Sequence, residues 1–462
     1  MDDDELINVK KRRKSRISNN KTALRLRCSV QNYDWGILGN HSHVATLSAL
    51  NSGSAIDSDK PYAEIWIGTH ESGPSFVDCC SLNGDELDSE MVTLKDWISE
   101  DLSVLGDKVA DKWGGDLPFL FKYVWGIKFC GILLNSAENY VLAVGKAVSI
   151  QVHPDKDFAR VLHKLQPSVY KDDNHKPEMA LALTEFEALC GFISVKELKD
   201  ILGSVPEIVE FVGITEAEQI LHIIEQDENG KVKEVLESIF NKLMLLDKDT
   251  ITEMIYKIKR RLNLEKKKRQ LTVKEHVVLR LESQYPGDVG IIAAFFLNYV
   301  KLNGGEALFV GPNEPHAYLS GECIECMATS DNVVRAGLTP KHRDVRTLLS
   351  MLKYRQGFPE ILRGVPLNQY TKKYLPPCDE FEVDRCILPQ AASAVFPSVP
   401  GPSLFLFISG KGKFDTGSSE DDIVEGGEIL FVPASMKVSI TAESTELHLY
   451  RAGVNSRLFR DL

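Results

Sequence analysis

The chain reads as mainly β with one helical insert, and three observations carry that reading. Apolar and polar residues alternate at period two in runs on both sides of residues 195–285, as in Leu24-Arg-Leu-Arg-Cys-Ser-Val30. Within 195–285 the period changes to that of a helix. A Gly-Gly turn followed by an apolar strand occurs twice, as Gly304-Gly-Glu-Ala-Leu-Phe-Val310 and Gly426-Gly-Glu-Ile-Leu-Phe-Val432, which predicts two related β barrels or sandwiches.

Taken in order, residues 1–23 are polar, lack apolar periodicity and carry the basic run Lys10-Lys-Arg-Arg-Lys-Ser-Arg16, the mark of a solvated tail. Strands are expected at Ala63–Ile67, Leu117–Phe121, Val141–Val152 and Ala180–Cys190, punctuated by Gly, Pro, Asn and Asp. Helices are expected over Val195–Leu202, Glu216–Glu225, Val232–Leu245 and Thr250–Leu262, and Thr272-Val-Lys-Glu275 reads as a capping box opening another. β texture returns after Asn303. The expected domains are therefore 24–194 plus 286–365, a helical domain at 195–285 and a C-terminal β domain at 366–462.

Bulk properties narrow the function classes. At about 100–200 residues per domain, 462 residues allow two to four domains, and 43% hydrophobic content supplies their cores. The net charge of −12 argues against a nucleic-acid-coating surface. The longest apolar run, Val289–Phe296, is far short of the roughly 20 residues of a membrane span, so no membrane partner is expected. The acidic opening Met1-Asp-Asp-Asp-Glu5 is unlike a signal peptide, and nine cysteines, an odd number, suit a reducing, cytoplasmic compartment.

Chemistry-bearing residues gather in a few segments. In Ser149-Ile-Gln-Val-His-Pro-Asp155, Gln151 and His153 stand two apart on a strand and share a face, offering an amide oxygen and an imidazole to one ion. In His175-Lys-Pro-Glu178, Glu178 sits at a strand entrance, where its carboxylate can face the same cavity; His175 is left to the surroundings. His316 follows the turn-rich Gly311-Pro-Asn-Glu-Pro315. One Gln, two His and one Glu form a set that Zn²⁺ accepts, and Mn²⁺, Fe²⁺ or Co²⁺ would bind by ligand type too. The second repeat offers Lys437 where the first offers His316, so only the first is expected to hold metal. Cys323-Ile-Glu-Cys326 lacks a second pair and, on a strand, its cysteines face opposite ways; Cys323 and Glu325 share a face. In the segment Thr329–Lys341, Arg335 and Lys341 stand close enough in sequence to hold a phosphate. No phosphate-binding Gly-x-x-x-x-Gly-Lys loop and no serine nucleophile elbow is present.

Together these segments resemble the type I phosphomannose isomerases. The resemblance rests on Gln31-Asn-Tyr-Asp-Trp-Gly36, Tyr62-Ala-Glu-Ile-Trp-Ile-Gly-Thr-His70, Leu117-Pro-Phe-Leu-Phe-Lys122, Ser149–Asp155, His175–Glu178, Pro315-His-Ala-Tyr318 and Asp331–Lys341, and spans the chain from Leu24 onward. It implies a cupin-type catalytic β-barrel or jelly-roll domain, a helical domain and a second cupin-like β domain. It also implies one Zn²⁺ per chain on Gln151, His153, Glu178 and His316, with Arg335 catalytic and Trp35, Lys176, Glu325, Asp331 and Lys341 lining the substrate cavity. The implied activity interconverts mannose 6-phosphate and fructose 6-phosphate through an enediol and feeds mannose 1-phosphate and GDP-mannose synthesis. The base is left open among Lys176, Asp331, a water on the ion and Glu325. A sugar phosphate is the only expected partner, and a monomer is expected.

The chain departs from that family in its basic tail and in an apolar stretch of 18 residues, Tyr123–Tyr140, just upstream of the metal strand. A mis-joined exon would explain the stretch. If it disrupts the site, the alternative is a catalytically impaired cupin-fold binding protein.

Overall fold

Apolar side chains at helical spacing demand a common core, and the helical region provides one. The computed structural model describes residues 22–77, 91–125, 146–223, 231–417 and 422–460, so the basic run Lys10–Arg16 lies outside the described residues. The chain forms two compact units: one of residues 1–125, 323–329 and 362–462, the other of 126–322 and 330–361. This grouping cuts the chain differently from the boundaries expected above.

In the second unit, helices run over Val195–Ser204, Pro206–Val212, Ile214–His222, Lys231–Met244, Lys248–Glu265 and Val273–Gln284. Their inward faces bury Leu198, Leu236, Phe240, Leu243, Ile258, Leu262 and Leu281, each worth about 1.5–3 kcal/mol relative to exposure. Both capping boxes close, Ser194 with Glu197 and Thr272 with Glu275, which satisfies amides that helix starts leave unpaired. Pro206–Val212 was not expected; its proline opens the helix, where a missing N–H costs nothing.

The β part of this unit is a five-stranded sheet in the order Leu297–Leu302, Phe186–Phe192, His316–Ser320, Ile150–Val152, Val334–Gly337. A second antiparallel pair joins Glu178–Ala182 to Ala307–Val310. The expected strand Ala180–Cys190 is thus two strands joined by a turn. Of Val141–Val152 only Ile150–Val152 is strand; Lys146–Ser149 precede it without regular structure, and 141–145 lie outside the described residues. Asp155 then caps a helix, Lys156–Leu165, in a region read as β.

In the first unit a nine-stranded sheet faces a four-stranded one, Ser393–Phe396, Val438–Ala442, Lys411–Asp415, Asp422–Glu425, across a core of Phe396, Phe405, Phe407, Phe414, Val438 and Ile440. Leu24–Arg27 joins the larger sheet by pairing with Ile429–Val432. A smaller sheet contains Ser29–Gln31, Glu64–Ile67, Phe119–Trp125 and Glu322–Ala328. Short helices at His43–Ser52, Leu94–Glu100 and Asp107–Trp113 also went unpredicted.

The stretch Tyr123–Tyr140 needs correction at its start. Tyr123 and Val124 are buried in the strand Phe119–Trp125, registered against Ile65 and Glu64. They belong to the sheet and are no part of an inserted loop; residues 126–140 lie outside the described residues.

The two Gly-Gly turns match closely. Gly305 and Gly427 have φ of 88° and 92°, the left-handed region glycine enters freely, and past each strand a further residue, Asn313 or Ser435, has φ 66°. With that register, His316 opens its strand as Val438 opens the corresponding one. The counterpart of His316 is therefore the buried Val438; Lys437 lies one residue earlier and is exposed.

Candidate metal centre

Three side chains from separate segments of the second unit meet. Glu178 begins its strand opposite Val310, His316 begins its strand opposite Gln151, and His153 stands one residue beyond the Gln151 strand. The carbonyl of His153 accepts from the backbone N–H of Asn313 at 2.8 Å, tying the two histidine segments together. Nε2 of His153 lies 3.2 Å from Oε1 of Glu178, and Nε2 of His316 lies 3.1 Å from Oε2. One ligand atom from each falls within 4.8 Å of the others, and all three residues are buried.

The second nitrogen of each ring is occupied by a backbone carbonyl. His153 Nδ1 lies 2.7 Å from the carbonyl of Asn332, and His316 Nδ1 3.1 Å from that of Glu314. With Nδ1 of His153 donating, its Nε2 carries the free lone pair and faces Glu178, while Nε2 of His316 is hydrogen-bonded to Oε2 of Glu178. His153 Nε2 is buried and makes no hydrogen bond despite the nearby carboxylate oxygen, an orphan that a cation would satisfy.

The electrostatics suit a cation too. Burial lowers His153 to about 4, and Lys176 and His316 add to this against the pull of Glu178, so the ring stays neutral. Burial pushes the Glu178 carboxyl up, but Lys176 and the two imidazoles outweigh it and hold it well below the usual range. A neutral imidazole and an ionised carboxylate are the forms that bind metal.

The remaining expected residues divide between the units. In the second, Gln151 is directly opposite both His316 and Arg335, so amide, imidazole and guanidinium occupy one row on one face of the sheet. Lys176 is buried with Nζ 3.0 Å from Oε1 of Glu178. The backbone N–H of Asp331 donates to Asp172 at 2.7 Å. Lys341 is exposed, its N–H donating to Thr339 Oγ1.

The Arg335 strand is pinned from behind. Asp288 Oδ1 accepts from the N–H of Gly290 and of Leu338, and Oδ2 from that of Thr339. A Cβ on Gly337 would lie 2.6 Å from Cα of Gly290, so the two backbones touch.

In the first unit, Glu325 pairs with the buried Lys122 at 2.9 Å; Lys122 is 3.6 Å from Glu64 and 4.9 Å from the Trp66 ring centroid. Half-buried Trp35 stacks on Tyr33 at 5.9 Å. Cys323 and Cys326 form no disulfide, and neither belongs to a metal-capable group among the described residues.

Sequence reasoning passed over Lys122 and Glu64 as site candidates, and it missed Asp172 and Asn332 altogether. A lysine closing the apolar run Leu117–Phe121 was the available signal for the first pair.

Comparisons with known proteins bear on the chain as a whole. Residues 23–129 and 139–195 match the catalytic domain of type I phosphomannose isomerase, and 211–297 match its helical insertion domain. The catalytic match thus leaves out 130–138. The chain is 55% identical to mannose-6-phosphate isomerase 2 of Arabidopsis thaliana over 95% of both chains. It is 37% identical to the mannose-6-phosphate isomerase of Homo sapiens over 92% of this chain and 97% of that one. Among solved structures, a zinc-bound mannose 6-phosphate isomerase superposes with TM-score 0.74 at 26% identity, covering 94% of this chain and 99% of that one.

Proposed function

Since the chain belongs to the type I phosphomannose isomerase family, we propose that it interconverts mannose 6-phosphate and fructose 6-phosphate with Zn²⁺ held by Gln151, His153, Glu178 and His316. The observation that carries the reading is the meeting of His153, Glu178 and His316 with both Nε2 atoms turned to one carboxylate.

Moving a proton between C2 and C1 of the open-chain sugar places negative charge on O1 and O2. A bound zinc ion supplies Lewis-acid stabilisation of that charge. Gln151 contributes a neutral amide oxygen, which leaves the protein ligands with a single formal negative charge and the site electrophilic. Lys176 holds Glu178 by its Nζ contact and keeps it ionised. Arg335, in the row of Gln151 and His316, presents a fixed positive charge to a developing oxyanion. Lys341, on the exposed loop beyond, is assigned to the phosphate as a point charge. Trp35, Glu325 and Asp331 are assigned to the substrate cavity, and the proton carrier is one of Lys176, Asp331, Glu325 or a water.

The proposal extends to 24–194 plus 286–365 as the catalytic domain, and to a cytoplasmic monomer supplying mannose 1-phosphate and GDP-mannose synthesis. Six cysteines among the described residues that form no disulfide support the compartment. No described helix is long and apolar enough to cross a membrane. No observation favours the impaired binding protein.

A coupled assay on mannose 6-phosphate, before and after EDTA, tests the proposal. Activity is expected to disappear with chelator and to return with Zn²⁺. Full activity in metal-free protein would overturn the metal assignment, and inactivity of zinc-loaded protein on this sugar would overturn the substrate. Solvent deuterium at C1 of the product is the mark of proton transfer.

A further inference from the structure

We propose that Asp172 is a positioning residue that sets the tautomer and orientation of His153 through the turn Ser330–Asn332. The inference rests on the metal reading above.

Asp172 lies on the segment leading to Glu178; its Oδ1 accepts locally from the Asn174 N–H at 3.0 Å, and its carboxylate also takes three donors from a distant turn. Oδ1 accepts from the Ser330 hydroxyl at 2.8 Å and from Asn332 Nδ2 at 3.1 Å, and Oδ2 from the backbone N–H of Asp331 at 2.7 Å. Asn332 Nδ2 also donates to the carbonyls of Asp172 and Asn174, both at 2.9 Å, and Ser330 Oγ accepts from the Asn332 N–H at 3.1 Å. Asn332 is buried, and its own carbonyl accepts from His153 Nδ1 at 2.7 Å.

Each link has a physical consequence. Charge-assisted bonds to a carboxylate are about twice as strong as neutral ones, so three donors on Asp172 hold the turn firmly. A fixed Asn332 carbonyl demands a proton on Nδ1 of His153, because a carbonyl oxygen can only accept. That leaves Nε2 unprotonated on the Glu178 side. His316 meets the Glu314 carbonyl instead, and among the described residues that carbonyl has no hydrogen bond to Asp172. The two rings therefore differ in what stands behind them, and removal of Asp172 should affect one alone.

The experiment measures imidazole ¹⁵N shifts in metal-free protein and zinc affinity by chelator competition, for wild type, Asp172→Ala and Asp172→Asn. In Asp172→Ala, His153 should lose its single Nδ1–H tautomer while His316 keeps its own, and zinc should bind about 10- to 100-fold more weakly, the usual effect of losing a partner behind a ligand. Asp172→Asn keeps one acceptor oxygen but opposes an amide to the Asp331 N–H, and should fall between. If His153 keeps its tautomer and zinc affinity stays within twofold in folded Asp172→Ala, the proposal is wrong. It is equally wrong if both histidines change together, which marks a general loosening. Should wild-type protein bind no zinc, the metal reading fails, while the tautomer measurement still decides the link from Asp172 to His153.

Discussion

The two Gly-Gly repeats share a backbone path but end in different chemistry. In the first, the strand Ala307–Val310 pairs Val310 with Glu178, and the next strand opens with His316 opposite Gln151. In the second, Val432 pairs with Ser403, and the next strand opens with Val438 opposite Phe396. Glutamate, histidine and glutamine are thus matched by serine, valine and phenylalanine. Phe396 and Val438 join the hydrophobic core, and Ser403 accepts from Arg451, which is paired with Asp384 at 2.8 Å. The same fold positions can therefore hold an ion or be packed as interior. Which of the two occurs depends on a few side chains at strand openings.

That contrast can be attacked from its strong side first. His316→Ala should remove the ion and lower kcat/KM by about 10²- to 10⁴-fold, corresponding to several kcal/mol of Lewis-acid stabilisation; activity within tenfold of wild type would break the comparison. At the matching place in the second repeat, Phe396→Ala should cost about 3–5 kcal/mol in denaturant unfolding, as a fully packed aromatic does. Val438→His, which buries an imidazole among apolar neighbours, should cost about 1–3 kcal/mol without recruiting zinc. A second bound zinc in that variant would mean that packing is not what closed the site.

A smaller effect concerns His448, on the strand Glu446–Gly453 of the first unit. Burial, with Arg385 beside it, lowers this ring to about 4. Between pH 4 and the ordinary value near 6.5 the unfolded chain takes up a proton that the folded one refuses, so the stability present above pH 6.5 declines as pH falls toward 4. His448→Gln should flatten that decline by on the order of 1–2 kcal/mol, read from unfolding midpoints at pH 7 and pH 4.5. Smallest of all, deletion of residues 1–21 should leave kcat/KM within twofold.

How much of this was legible varies by kind of signal. Period-two runs and capping boxes announced the strands and the helical region, because each depends on side chains a few residues apart. His153, Glu178 and His316 were readable as donors at strand edges, and the family resemblance joined them. Matching His316 to Lys437 slipped by one residue. A strand's facing reverses with each position; counted without gaps from Gly304 and Gly426, His316 already falls on Val438, and the shared φ of 66° at Asn313 and Ser435 agrees with that register. The helix His43–Ser52 was missed because it buries only Val44, Ala45 and Leu47, too few for a periodic signal. Lys122 escaped notice because its worth depends on Glu64 and Glu325, far away in sequence.

The contact between Gly290 and Gly337 has its own consequence. Even one methyl group there would wedge the Arg335 strand away from the start of the helix Gly290–Ala293, and that strand pairs directly with the Gln151 strand, Arg335 opposite Gln151. The arginine and the glutamine ligand opposite it would be disturbed together. A change that adds no charge and removes no ligand is therefore expected to register as weaker zinc binding together with slower turnover.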